Sequence, residues 1–205
     1  MPRLKQVSRD EVADERVRAA YQKHFGDRDP VKEPGTKGGT PGNWWTVYAL
    51  DPQLFGMFLD RHKWQWDKAR TLNPILRELA ITRTGWARGS RFVFSQHCKV
   101  LRREGCEEQK IQAIPTWSSA SCYSDIERAV LGYADDLTHG EGRSTDERFA
   151  HLRRELDDLQ IFELTFMILT YETSAKLCKA LRLEYDDIDE HVGEVQRGEY
   201  DLERM

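Results

Sequence analysis

The chain has 205 residues, 39% of them hydrophobic and 32% charged, with a formal net charge of −4. This length can bury a core without disulfides or metals, and the charge gives no electrostatic reason to bind nucleic acid or an anionic membrane. No apolar run approaches the roughly 20 residues that a membrane-spanning helix needs, and the charged N-terminus has no apolar signal core. We therefore expect a soluble, cytoplasmic protein with a single domain over residues 1–205.

Capping signals predict helices from the N-terminus onward. Ser8 and Glu11 have the S-x-x-E spacing in which each side chain bonds a free backbone donor of the other residue, and an apolar helical pattern follows until Gly26. Residues 26–43 are rich in glycine, proline and charge. This pattern predicts a long loop, which is either a lid or interface arm or a mobile surface excursion.

The starts of the next two helices are predicted by a capping residue followed by a proline, at Asp51-Pro52 and at Asn73-Pro74. The first of these helices would present one apolar face, formed by Leu54, Phe55, Phe58, Leu59, His62 and Trp66. The second would turn Ile75, Leu76, Leu79 and Thr82 inward. Gly85, Gly89 and Ser90 are predicted to interrupt the helical pattern before a helix at 91–104.

The C-terminal half continues the same pattern. A short helix is predicted at 107–114, and two further capping boxes begin at Ser124 and Ser144. The last long helix starts near Asp158 and is apolar on more than one side, which predicts a central position or burial against another subunit. Residues 186–205 form an acidic extension. Because no segment alternates with the period of a strand, we predict an all-α fold.

One helix pair carries a candidate acid–base centre. Glu78 lies one position from the apolar face of its helix, and His97 follows on the next helix between Phe94 and Leu101. If both side chains project into the seam between the two helices, they form an acid–base pair in apolar surroundings, where burial and mutual attraction act in opposite directions on their pKa values. Sequence alone leaves two alternatives open: a structural ion pair between Glu78 and an arginine, and a His97 bonded to a backbone carbonyl.

Several segments in order resemble the carboxymuconolactone decarboxylase family and its superfamily, which includes the alkylhydroperoxidase AhpD. They are the run RELAITRTGW at 77–86, His97 eleven residues after Trp86, the segment 113–114 with Trp117, and the segment 127–131. The resemblance covers residues 51–187. It implies an AhpD-like helical domain that assembles into homo-oligomers, often trimers or hexamers.

The resemblance also shows what the chain lacks. In the peroxidase branch a C-x-x-C pair lies seven and four residues before the histidine, where this chain has Ser90 and Val93. Without a thiolate at these positions there is no peroxide-reducing nucleophile. The decarboxylase-like branch often has Tyr-Glu-Trp just before the histidine, where this chain reads Phe-Val-Phe at 92–94. The family acid is therefore replaced by Val93.

The leading hypothesis is a lyase that decarboxylates a small cyclic or aromatic acid, or transfers a proton on it, without a metal or organic cofactor. Glu78 and His97 are the predicted catalytic pair. Six residues are predicted to bind the small-molecule substrate: Arg83, Arg91, Trp86, Phe94, Ser90 and Trp117. Arg83 and Arg91 suit a carboxylate, although exposed arginines of this kind are commonly structural.

Two other functions stay open. One is an AhpD-like thiol peroxidase that uses Cys98, although on a helix this side chain points about 100 degrees away from that of its neighbour His97. The other is a non-catalytic ligand-binding relative, which the valine at 93 favours. The four cysteines have neither C-x-x-C nor metal-finger spacing and are predicted to be free thiols.

Overall fold

The computed structural model describes residues 2–37 and 39–183 of the chain. In these residues the secondary structure is helical and no strand is present, so the predicted all-α class is confirmed. The described residues divide into two compact units, 2–70 with 180–183 and 71–179. The assignment of residues 1–205 to a single domain stays a prediction, and the acidic extension at 186–205 lies outside the described residues.

The first unit contains a 3-10 helix and three α-helices. They are the 3-10 helix Arg9–Glu11, α1 Glu15–Phe25, α2 Asn43–Tyr48 and α3 Pro52–Gln65. The capping box of Ser8 and Glu11 forms as predicted, but it opens only the 3-10 helix, and Asp14 caps α1 with its carboxylate. Asp51 caps α3 in the predicted way. Leu54 of the predicted inner face of α3 is exposed, whereas Phe55 is fully buried.

The segment between α1 and α2 is held by its own side chains. The guanidinium of Arg28 donates to the carbonyl oxygens of Phe25, Glu33 and Gly35. The carboxylate of Asp29 accepts from the backbone N–H groups of Val31 and Lys32, and also from that of Arg9. Charged groups that satisfy backbone donors and acceptors in this way give a loop a defined path.

The second unit contains the remaining helices. They are α4 Pro74–Ala87, α5 Arg91–Arg103, α6 Glu108–Ala113, a 3-10 helix Ile114–Ser119, α7 Asp125–His139, α8 Asp146–Leu152 and α9 Asp158–Leu181 as far as Lys179. Asn73 caps α4 and the capping box at Ser124 opens α7, both as predicted. The cap of α8 is Thr145 rather than the predicted Ser144, whose hydroxyl donates to Asp136 instead.

The central helix of the second unit is α4, which packs against both α5 and α7. Leu76 and Ala80 belong to a core that α4 shares with α7 and α9, and Leu79 belongs to a second core that it shares with α5 and α6. A helix that supplies two cores is buried on nearly all sides. The polar residues of α4 therefore have to find their partners inside the protein.

The long helix α9 has one buried and one exposed apolar side. Its inner side includes Ile161, Leu164, Met167 and Ile168, whereas Leu159, Phe162, Phe166 and Leu169 are exposed. The exposed residues follow helical spacing and form a stripe, which we call the α9 stripe. The homo-oligomer stays a prediction. No helix in the described residues is long and apolar enough to cross a membrane.

Candidate active site

Glu78 of α4 and His97 of α5 meet inside the second unit. Oε2 of the carboxylate lies 2.6 Å from Nδ1 of the imidazole ring. Glu78 is fully buried and His97 is 7% exposed, so little water competes for this contact. The two side chains therefore form the predicted pair, and the alternative in which His97 bonds only a backbone carbonyl does not apply.

The charge of Glu78 is decided by competing effects. Burial alone would raise the pKa of its carboxyl group, but His97 and then Arg77 outweigh burial and hold the pKa below its ordinary value. Glu78 is thus ionised at neutral pH. An ionised carboxylate only accepts hydrogen bonds. Nδ1 of His97 therefore carries a hydrogen, and in the neutral ring Nε2 is the nitrogen with a free lone pair.

Each oxygen of the carboxylate has its own donor. Oε2 accepts from His97, and Oε1 accepts from Nε of Arg77 at 2.9 Å. The ring of Tyr171 in α9 packs edge-on against the His97 ring, with the centroids 4.5 Å apart and an interplanar angle of 82°. The imidazole is therefore held at its Nδ1 atom by a charge-assisted hydrogen bond and is packed against an aromatic ring.

The turn between α4 and α5 brings the pair together. Gly89 adopts a positive φ of 58°, and the Ser90 hydroxyl then caps α5 by accepting from the backbone N–H of Val93. Gly85, predicted to interrupt the helix, lies inside α4. A Cβ atom at Gly85 would lie 2.7 Å from the backbone nitrogen of Phe94, so the glycine permits close approach of the two helices at this point.

The structure gives Arg83 partners of its own. Its guanidinium forms a two-pronged ion pair with Asp135, with distances of 2.6 and 3.1 Å, and also donates to the carbonyl oxygens of Ile114 and Pro115. The indole N–H of Trp117 donates to the same Asp135 carboxylate at 2.8 Å. This network joins α4 to α7 and to the 3-10 helix at 114–119. It favours the structural interpretation of Arg83 and Trp117, whose substrate contacts stay predictions.

The other predicted substrate-binding residues line the same helix pair. Trp86 packs against the fully buried Phe94 ring, with the centroids 5.4 Å apart. Ser90 is buried at its capping position, and Arg91 is half-buried at the first turn of α5. A role for any of these four residues in substrate binding stays a prediction.

In the described residues none of the four cysteines forms a disulfide bond, as the sequence predicts. Cys98 is fully buried in the core shared by α4 and α5, and burial raises the pKa of Cys106 to about 11. Val93, at the position of the missing family acid, is buried as well. In the described residues no group of three or more His, Cys, Asp or Glu side chains is arranged to hold a metal ion.

Residues 53–136 match the model of the carboxymuconolactone decarboxylase family. This segment is therefore similar to that family, as the sequence resemblance implies. The matched segment runs from the start of α3 into α7 and contains Glu78, His97, Arg83 and Asp135. The chain is also 27% identical to the uncharacterized protein YdfG of Bacillus subtilis over 124 residues, which are 60% of this chain and 83% of that protein.

Two solved structures show the same fold. One is a protein of unknown function from Agrobacterium tumefaciens, proposed to be the antioxidant defence protein AhpD; it has 25% identity, a TM-score of 0.59, and coverage of 66% of this chain and 92% of that one. The other is an uncharacterized peroxidase-related protein with an AhpD core from Ralstonia eutropha. It has 16% identity and a TM-score of 0.66, and the match covers 90% of this chain and 95% of that one. The AhpD-like helical fold is therefore confirmed.

The sequence leaves open an arginine partner for Glu78 but identifies neither Arg77 nor Tyr171 as a member of the site. Arg77 precedes Glu78 directly, and neighbouring residues on a helix do not normally face each other. Tyr171 lies 74 positions beyond His97 and belongs to no local motif. The one usable signal is the burial expected of α4, because a buried arginine needs an acidic partner close by.

Proposed function

We propose that the chain is an enzyme that transfers protons to and from a small cyclic or aromatic acid, with decarboxylation as the leading reaction. His97 is the acid–base residue, and Glu78 orients it. The observation that carries this proposal is the buried contact of 2.6 Å between the Glu78 carboxylate and Nδ1 of His97. An orienting carboxylate on one ring nitrogen leaves the other for chemistry, an arrangement shared by many general acid–base sites.

The proposed chemistry uses Nε2 of His97. In decarboxylation the bond to the carboxyl carbon breaks, carbon dioxide leaves, and the electron pair stays on the substrate as an enolate. The imidazolium form of His97 then delivers its Nε2 proton to the substrate carbon that carried the carboxyl group, and His97 becomes neutral. In a proton transfer without loss of carbon dioxide, neutral Nε2 first takes a proton from carbon and later returns it. Glu78 stabilises the charged ring in both cases.

The substrate carboxylate needs a cationic partner. Arg83 already forms four hydrogen bonds, two to Asp135 and two to backbone carbonyls. Arg91, on the same helix as His97, is our candidate to orient the departing carboxylate. A guanidinium suits this task because its parallel N–H groups match the two carboxylate oxygens.

The peroxidase alternative has less support. The relatives with AhpD-like names suggest it, but the chain has Ser90 and Val93 at the positions of the reactive cysteines. The remaining candidate, Cys98, is fully buried. A thiol has to reach peroxide as an accessible thiolate before it can react, so we do not propose this activity.

Proton exchange tests the proposal whatever pathway the substrate belongs to. A panel of carboxylated lactones, β-keto acids and hydroxylated aromatic acids is incubated with the protein in D2O, and NMR follows both deuterium entering carbon and loss of the carboxyl carbon. We expect H97A to lower the rate by about 10²–10⁴-fold, and E78Q to lower it as well. The matched control is E108Q, which removes the charge of a surface glutamate paired with Arg102.

Two outcomes would contradict the proposal. If the wild-type protein turns over a panel member and H97A does so at the same rate, His97 is not the acid–base residue. If a panel member raises the melting temperature of the protein but neither exchanges nor loses its carboxyl carbon, the non-catalytic ligand-binding function replaces the enzymatic one.

A further inference from the structure

We propose that Arg77 is the positioning residue of this site, and that its contact with Glu78 keeps His97 able to cycle between its neutral and charged forms. The inference rests on the proposed function and deepens it, because it names the residue that makes the Glu78–His97 pair usable in both directions. Arg77 contacts Oε1, the carboxylate oxygen that does not bond His97, and therefore acts through Glu78.

The first argument is the geometry of the carboxylate. Nε of Arg77 donates to Oε1 at 2.9 Å, and Nδ1 of His97 lies 2.6 Å from Oε2. With one donor on each oxygen, the plane of the carboxylate cannot turn without breaking a charge-assisted hydrogen bond. The Arg77 contact thereby fixes the direction from which His97 is held, as supporting residues do at precise sites.

The second argument is electrostatic. A buried carboxylate whose sole charged neighbour is a histidine strongly favours the imidazolium form of that ring, because an ion pair in apolar surroundings is lost when the ring gives up its proton. Such a ring would be a poor base. The Arg77 charge, only 7% exposed and adjacent to the same carboxylate, offsets part of this attraction. His97 can then release its Nε2 proton and take it up again.

The groups in contact with the pair come from three helices. Arg77 lies on α4 with Glu78, and His97 lies on α5. Tyr171 of α9 packs edge-on against the ring. Arg77 is the cation that the structure places in hydrogen-bond contact with Glu78, and its charge helps to hold the Glu78 pKa low.

The test is NMR of the histidine ring nitrogens and needs no substrate, so its failure is distinguishable from failure of the proposed reaction. In protein labelled with ¹⁵N, H97Q identifies the His97 signals among the six histidines. We expect wild-type His97 to convert from imidazolium to the neutral form with hydrogen on Nδ1 as the pH rises. In R77Q we expect this conversion to occur at higher pH, where the proton concentration is about tenfold lower than at the wild-type midpoint. R77K keeps the charge, and we expect its midpoint to differ much less from that of the wild type.

The chain supplies a matched control. Arg103 and Glu104 form the same kind of neighbouring pair, at 3.2 Å, but at the exposed end of α5. R103Q should leave the His97 titration unchanged. A titration in R77Q that coincides with the wild-type curve would overturn the proposal.

A second measurement covers the case in which R77Q does not fold. In the wild-type protein the Nε–H signal of Arg77 should move with the same midpoint as the His97 signals, because both groups share one carboxylate. An Arg77 signal that stays fixed while His97 titrates would equally overturn the proposal.

Discussion

Oε2 of Glu78 lies 2.6 Å from Nδ1 of His97, although 19 positions separate the two residues. The contact joins consecutive helices and leaves the carboxylate without exposure to solvent. A buried charge of this kind is stable only while its partners stay in place. Stability and chemistry at this site therefore depend on the same few atoms.

The first prediction concerns acid stability. Burial opposes ionisation of Glu78, but His97 and Arg77 hold its pKa below the usual 4.5. The ionised group thus stabilises the folded state above pH 4.5, and this contribution is lost as the pH falls through the lowered folded-state pKa. We expect E78Q to lower the free energy of unfolding by about 3 kcal/mol at neutral pH. The deficit should shrink in acid.

Urea denaturation at a series of pH values measures this difference. The control E108Q removes a surface carboxylate whose pKa is lowered mainly by hydrogen bonding from Arg102. Exposed pairs contribute little, so the control should cost below about 1 kcal/mol. A deficit of E78Q that stayed constant into strong acid would show that charge is not the cause.

The second prediction concerns Gly85. In G85A the new Cβ would meet the backbone nitrogen of Phe94 at 2.7 Å and the Val93 side chain at 2.9 Å. Because backbone cannot move aside easily, α4 and α5 should separate at this point, at a cost of about 1–3 kcal/mol. The separation should also weaken the contact between Glu78 and His97. Thermal unfolding and the His97 NMR signals report the two effects.

A matched glycine is available inside α7. A Cβ at Gly132 would meet the end of the Arg148 side chain, and this flexible group can move. G132A should be close to neutral, since alanine also favours the helix by about 1 kcal/mol. Equal destabilisation of both variants would contradict the proposed role of close helix approach at Gly85.

The third prediction concerns the ion pair of Arg83 and Asp135. Because the two side chains are only 11% and 23% exposed, removing either partner leaves a poorly solvated charge. We expect R83M and D135N each to destabilise the protein, and the double variant to lose less than the sum. A double-mutant cycle should give a coupling of about 1–3 kcal/mol. A coupling near zero would mean that Arg83 is available for another partner, such as a substrate carboxylate.

The fourth prediction concerns thiol reactivity. Cys122 is half-buried, Cys98 is fully buried, and burial raises the pKa of Cys106 to about 11. Since alkylating reagents attack accessible thiolates, Cys122 should be labelled before Cys98 and Cys106 in the folded protein. Peptide mass spectrometry after timed labelling gives the order. Rapid labelling of Cys98 would revive the peroxidase alternative, which a peroxide assay on C98S would then decide.

The fifth prediction concerns assembly. The α9 stripe exposes large apolar side chains at helical spacing, with Phe162 70% exposed. We expect this stripe to be buried between copies of the chain, in line with the oligomers that the family resemblance implies. Light scattering after size exclusion should report an oligomer for the wild type and a smaller species for F162D. Q160D changes a partly buried polar residue two positions away and serves as the control; a wild-type monomer would refute the prediction.

Local signals predict much of the fold. The caps at Asp51, Asn73 and Ser124 lie where the sequence places them, because each satisfies backbone donors within four residues. The short helix α2 escapes prediction, since its first cap is Gly42 in a left-handed conformation, which supplies no side-chain acceptor. Of the positions predicted to separate the two helices, Gly89 and Ser90 do so, whereas Gly85 lies inside α4. Local sequence cannot distinguish a glycine required by a neighbouring helix from a glycine that ends a helix.

The candidate site is predicted less completely. Glu78 and His97 can be paired because they lie on consecutive helices. The partner of Arg83 lies 52 positions away on α7, where no spacing rule reaches. An arginine partner for Glu78 is one of the alternatives that the sequence leaves open, and the ion pair with Arg77 realises it. Its identity as Arg77 is not predicted, because helical geometry argues against contact between neighbouring residues.

The α4–α5 hairpin that carries the pair has a consequence for folding. Its helices are joined by a turn of only three residues, and the Glu78–His97 contact closes a loop of 19 positions. Closing so short a loop costs little chain entropy, and local contacts generally form early. The acid–base pair should therefore form together with the hairpin. The ion pair between Arg83 and Asp135, which joins α7 to the hairpin, should form later.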